Sequence, residues 1–434
     1  MTTTPELRIR WEWEAPPPVR LPEHRVTWAR IEIAVGGDHI TLVEDIPSGS
    51  SRRSVYCPLY PIAEWLAYNW WFLRADARPA RTLGVRSGIW HDPQMLRRHC
   101  VRASGDGFLW PELLIIPEGG QTHLLWREDR HVPATRPIRF LSRGEAFVDG
   151  PSITEELGHL ISAVLTRLAE KGISDTPLEK EWAAIQQAEP EEVEFCLAAA
   201  RLGLDPYAEA GPYEDLIIAA AGEMPPAMFG DFLDAVDPVR MAEALEWIQR
   251  ARTEIGTARN APAALDLRPA MGVPRPSPGH RPWEKGWAQA RMVRRAAGVP
   301  DEDVFPLDAY VAAVERPAVD RGLQAVGGAA EERGPSVVVA SGRAAGSRRF
   351  TLSRALWHHV WEPEPLFLVT TAATDRQQVE RAFAAELLAP AAGIREIAGT
   401  PVETMTQEDL GTLAEHFQVS EKVIEHQVEN QLLG

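Results

Sequence analysis

Two stretches near the C-terminal end constrain the fold of this chain most. The first, Arg348 to Trp361, reads RRFTLSRALWHHVW and is followed by prolines at positions 363 and 365. Its pattern predicts a helix running from near Phe350 until those prolines stop it. The second, Val379 to Pro390, reads VERAFAAELLAP and predicts a second apolar helix. Arg354 and His358 are four residues apart and therefore share one face of the first helix, whereas His359 points in another direction.

Together these stretches resemble the core of the ImmA/IrrE family of zinc metallopeptidases, which reads roughly RFTLAHELGHLL and then ANxFAAELLMP. Pro282 to Glu302, PWEKGWAQARMVRRAAGVPDE, is similar to the family's opening helix, and Thr406 to Leu433 is similar to its closing segment. The resemblance covers about residues 280–434. It implies a zincin-like domain, mostly helical with a small sheet, whose relatives cut transcriptional repressors in stress, phage and mobile-element circuits.

The same resemblance implies where the chemistry would sit and what this chain has changed. HExxH on a helix gives two His ligands on one face, with a Glu between them that activates water. At those positions this chain has Arg354 in place of the first His, Ala355 in place of the Glu, and His358 as the second His. The downstream ligand position falls at Gln377, with Glu380 three residues later. One imidazole does not hold zinc, alanine is no general base, and Gln377 is a poor ligand. The motif therefore implies no assured catalytic residue and no cofactor. Zinc enters only under an alternative in which His358 and Glu380 belong to a rearranged ligand set. Arg354 would carry a permanent positive charge about where the family carries its metal, and pairing with Glu380 or a nearby carboxylate would join the two helices without an ion.

The chain has 434 residues, 45% apolar and 25% charged, with a net charge of −17. That length suggests several domains, and the acidic balance weighs against nucleic acid as a general partner. Cys57, Cys100 and Cys196 form no CxxC pair, so neither a disulfide frame nor a zinc knuckle is expected. No signal-like apolar run opens the chain, and no stretch reaches the ~20 apolar residues of a membrane helix. The expectation is a cytoplasmic protein with no membrane partner. No P-loop, GxGxxG after a strand, or GxSxG is found.

The whole chain reads as an α+β multidomain protein. Residues 1–150 form a β-rich domain holding nine of the fifteen tryptophans. Its predicted hairpins are Trp28–Val35 with His39–Ile46 and Glu112–Pro117 with Thr122–Glu128, and Pro61–Leu73 reads as a short helix between them. Most of these tryptophans read as core. Trp70 and Trp71 are singled out as a partner-binding pair, because neighbouring helix residues point about 100° apart. Residues 151–258 form a helical domain whose acidic residues read as a solvated face. Residues 259–282, with six prolines, form a linker, and 283–434 form the ImmA/IrrE-like domain.

Leu413 to Ile424 has helix-turn-helix spacing, but Glu421, Glu425 and Glu429 stand against one lysine, Lys422. Carboxylates beside phosphates repel, so structural use is favoured over DNA binding. The favoured function is a non-catalytic regulatory or scaffolding protein that holds a protein partner. The alternatives are an active zinc peptidase with rearranged ligands, and DNA binding. Oligomeric state is open.

Overall fold

Tryptophan and branched aliphatics dominate the core of the first two hundred residues, which is built around three small antiparallel sheets. A computed structural model of the protein describes residues 5–78, 89–130, 136–255, 261–267, 282–330, 334–342, 344–362, 364–372, 374–399 and 401–433. The chain is α+β and divides into two units, Met1–Gly211 and Pro212–Gly434.

The first unit has strands β1 (Leu7–Trp13), β2 (Trp28–Val35), β3 (Asp38–His39), β4 (Val43–Asp45), β5 (Ser50–Arg52), β6 (Val55–Pro58), β7 (Glu112–Glu118), β8 (Gln121–Arg127), β9 (Ile138–Phe140) and β10 (Gly144–Asp149). Its helices are α1 (Pro22–Val26), α2 (Tyr60–Tyr68), α3 (Trp70–Ala75), α4 (Pro93–His99), α5 (Gly150–Glu170), α6 (Pro177–Gln187) and α7 (Pro190–Leu202). In one sheet β2 pairs with β1, β3 and β6; the others run β10-β8-β7 and β5-β4-β9. The helical stretch beginning at residue 150 is thus shared between the units: α5, α6 and α7 pack against N-terminal elements, and later helices belong to the second unit.

The hairpin β7–β8 forms as the pattern predicts, turning at Gly119 with φ +64°. The hairpin after β2 is shorter than predicted. β3 pairs with β2 for two residues, and β4 then leaves for another sheet. The cause is Thr41, fully buried. Its hydroxyl accepts from Ile33 N at 2.9 Å and donates to Arg53 O at 2.7 Å. A side chain takes the place of ladder partners there.

The predicted helix 61–73 is two helices, because the Asn69 amide donates to Trp65 O at 2.8 Å and ends the first. Trp70 and Trp71 are 5% and 4% exposed and belong to the core. Trp70 meets Trp182 edge to face at 4.8 Å, and the Arg74 guanidinium lies over both indoles. The two different directions both lead inward, which leaves neither indole on a surface.

The second unit has helices α8 (Glu214–Glu223), α9 (Pro226–Ala235), α10 (Met241–Ile255), α11 (Pro282–Ala297), α12 (Ala345–Trp361), α13 (Asp375–Leu388), α14 (Ala391–Ile397), α15 (Gln407–Phe417) and α16 (Glu421–Gln427). Its strands are β11 (Ala312–Arg316), β12 (Leu323–Ala330), β13 (Gly334–Ala340) and β14 (Leu366–Thr370), in the order β11-β13-β12-β14. The apolar run at 334–341 supplies β13, a buried strand and one of the two inner strands of this sheet. Most of the proline-rich stretch 259–282 lies outside the described residues. α11 ends at Gly298, φ +66°, as the sequence predicts.

Two glycines let this unit close. A Cβ on Gly286 of α11 would stand 2.3 Å from Val379 O of α13, so that helix crossing needs a hydrogen there. A Cβ on Gly327 of β12 would stand 2.1 Å from the Phe367 ring of β14. That ring is part of the site described next. Among the described residues no helix is long and apolar enough to cross a membrane.

Candidate functional site

α12 lies against the sheet and α13 packs beside it, and their facing sides carry polar groups into an apolar interior. Leu352, Ala355, Leu356, Phe383 and Leu387 form part of the surrounding core. Arg354 is 1% exposed and Glu380 is fully buried. Arg354 Nε donates to Glu380 Oε1 at 2.8 Å, and Nη2 also reaches that oxygen. Nη1 donates to Gln324 Oε1 at 2.8 Å, and Nη2 to Thr370 O at 2.7 Å and to Gln377 Oε1. One guanidinium thereby ties together α12, α13, β12 and β14. Its flat fork of donors matches this spread of acceptors as an ammonium would not.

The other oxygen of Glu380 lies against His358 Nε2. The two atoms are within ion-pair reach but not aligned as a hydrogen bond. The His358 ring stacks on Phe367 at 4.5 Å and 6° between planes. The room that Gly327 leaves for Phe367 therefore fixes the imidazole's face. Burial alone would push the Glu380 carboxyl up, but Arg354 and then His358 hold it below the usual carboxylate range.

A second charge pair extends the cluster. Asp231 of α9 is 2% exposed. Its carboxylate takes Gln377 Nε2 at 3.0 Å, Thr374 Oγ1 at 3.2 Å and Arg376 Nη2. Arg376 Nη1 is also within 3.6 Å of Glu364. Gln377 is thus held at both ends: its carbonyl faces Arg354 and its amide faces Asp231. The expectation that the acidic residues of the middle helices form a solvated face fails at Asp231. Its signal was available, an aspartate inside the apolar stretch MFGDFLDA.

Glu386, inside FAAELL, is the other residue the sequence reading passed over. It is 1% exposed. Its carboxylate takes Arg291 Nε at 2.6 Å, Ala391 N at 3.2 Å, and the Gln427 and Gln431 amides, each at 2.7 Å. It binds α11, the start of α14 and the C-terminal segment to α13. In the helix-turn-helix-like stretch, Phe417 and Ile424 are fully buried, and Gln427 points inward to Glu386. These side chains build the unit's own core.

Residues 307–429 match the family model of the IrrE N-terminal-like domain, peptidase M78. The C-terminal third of the chain is an IrrE N-terminal-like domain. No curated protein matches the chain, and no solved structure does. α11 precedes the matched residues yet packs along α13, so the domain's core reaches beyond the match.

The IrrE-like domain's peptidase relatives imply zinc, and the donor set here can be tested against that ion. Zinc takes four ligands in structural sites and three plus water in catalytic ones, at about 2.0–2.3 Å. Arg354 is a cation with five donors and no acceptor, and it fills the space between His358, Gln377 and Glu380. Glu380 Oε1 is already committed to it, and Oε2 faces His358 Nε2. Ala355, fully buried, has no group to take a proton from water. Among the described residues no three His, Cys, Asp or Glu side chains are grouped to hold a metal. These residues do not fit a zinc ion.

Proposed function

We propose that this chain is a non-catalytic relative of the IrrE-type peptidases, a regulatory or scaffolding protein that works by holding a partner protein. The observation that carries this reading is the guanidinium of Arg354, buried between the two helices of the peptidase motif and bonded to Glu380 and Gln377. A scaffold that retained its zinc chemistry would need those acceptors for the ion. Here the internal cation joins the same two helices, which supports the reading that neither a Lewis acid nor a general base works there. Because active relatives cut transcriptional repressors, the setting we infer is a bacterial stress, phage or mobile-element response, with the partner bound and not cut.

The reading is tested by rebuilding the site. Zinc uptake and cleavage of a general peptide substrate are measured for the wild type and for Arg354→His/Ala355→Glu/Gln377→Glu. The wild type takes up no stoichiometric zinc and cleaves nothing, while the triple variant gains zinc. Chelator-sensitive cleavage by the wild type, lost in His358→Ala, would establish the peptidase reading instead.

A further inference from the structure

We propose that the free edge of β1 pairs with β1 of a second copy of this chain, antiparallel and centred on Trp11. β1 ends its sheet: β2 lies on one side, and among the described residues no strand lies on the other. The ladder to β2 uses the even-numbered residues. Glu14 N donates to Trp28 O, and Gly36 N to Glu6 O, in a register that places residue 11 opposite Ile31. In an antiparallel ladder the alternate residues then aim their N–H and C=O groups outward, here Leu7, Ile9, Trp11 and Trp13. Ile9 N shows this direction, since it donates to Glu156 Oε1 of α5 at 2.5 Å. A row of outward backbone groups on an edge strand is a template for another strand.

The charges on the strand identify the occupant. Arg8, Arg10, Glu12 and Glu14 are all exposed, on the face away from α5. Read about Trp11, the pattern is its own complement. A second β1 laid antiparallel with Trp11 opposite Trp11 sets Arg10 against Glu12 and Arg8 against Glu14, and each pair occurs twice by symmetry. The backbone phase agrees. Odd residues would meet as hydrogen-bonded pairs, and even residues as the closer non-hydrogen-bonded pairs, where side-chain charges interact most. A strand of unrelated sequence has no reason to match this order, and a parallel copy would set like charges together.

The other face of the edge has room. Trp11 and Trp13 are partly exposed beside α5, with Trp11 5.4 Å from the His159 ring and Arg167 over Trp13. A groove of about 400 Å³ runs along Trp11, Trp13, His159, Ala163 and Thr166. A two-fold axis normal to the sheet brings the second copy's Trp11 to this same face. The contact is isologous and closes as a dimer. Glu156 occupies the Ile9 amide, and Ile9 faces Trp13 of the second copy, so the central Trp11 pair keeps both of its hydrogen bonds while each Ile9–Trp13 pair keeps the one donated by Trp13 N.

The test is sedimentation equilibrium on the full chain across micromolar concentrations. The wild type dimerises. Arg10→Glu and Glu12→Arg each place like charges opposite one another twice per dimer and weaken self-association by at least about tenfold. An equimolar mixture of the two variants restores dimers, because each copy then supplies what the other lacks, and the double variant R10E/E12R dimerises alone. Amide exchange at Trp11 and Trp13 slows as the wild-type concentration rises. A wild type that stays monomeric, a dimer indifferent to both reversals, or a mixture that stays monomeric overturns the proposal.

Discussion

Arg354 concentrates the physics of the second unit. A buried ion pair is poor evidence of net stability, because desolvation offsets much of the attraction, but removing one partner strands a charge. Arg354→Ala would leave Glu380 buried with only the His358 imidazole beside it, and we expect a loss of about 3–5 kcal/mol, read as a lower urea midpoint. Arg354→Leu/Glu380→Leu should lie closer to the wild type than either single variant, since no bare charge remains. The pH dependence has a definite sign. The folded Glu380 carboxyl titrates below its ordinary range. Its contribution is therefore complete above the unfolded value of about 4.3 and is lost as pH falls through the lower, folded value. The stability gap between wild type and Glu380→Gln, from urea melts, should be constant near neutrality and shrink below about pH 4.

At the scale of elements, close approach decides the packing of α11, α13 and the sheet. Gly286→Ala puts a methyl 2.3 Å from the Val379 carbonyl. It should push the helices apart at a cost of about 1–3 kcal/mol, measured by thermal unfolding. Gly327→Ala meets the Phe367 ring and should loosen the stack on His358, visible in the histidine's NMR shifts. The sequence made α11, α12 and the β7–β8 hairpin legible because each has a clear period and a clear stop. It was the family resemblance that set Arg354 near Glu380, since it supplied a register between two helices that neither segment fixes alone. What the sequence hid was non-local. Thr41 shortens a hairpin through a hydroxyl bonded to Arg53 O. Asn69 splits a helix through an amide. Asp231 reaches Gln377 from about 146 residues away along the chain. β14, LFLVT, is a short apolar run without polar alternation, which periodicity alone does not mark as a strand.

At the scale of the molecule, the two units pose separate questions. The first buries most of its tryptophans in its core and exposes an edge strand whose charges complement themselves. The second contains residues that match the IrrE N-terminal-like domain, and its internal cation is a side chain. Ligand linkage gives the most direct test of that second statement, since an ion bound by the folded state alone raises stability, by about 2.7 kcal/mol at a hundredfold excess over its Kd. The measurement is the unfolding midpoint of the wild type with excess zinc and with a chelator. The account predicts the same midpoint in both. A midpoint raised by zinc, lowered by the chelator and made indifferent to both by His358→Ala would contradict it.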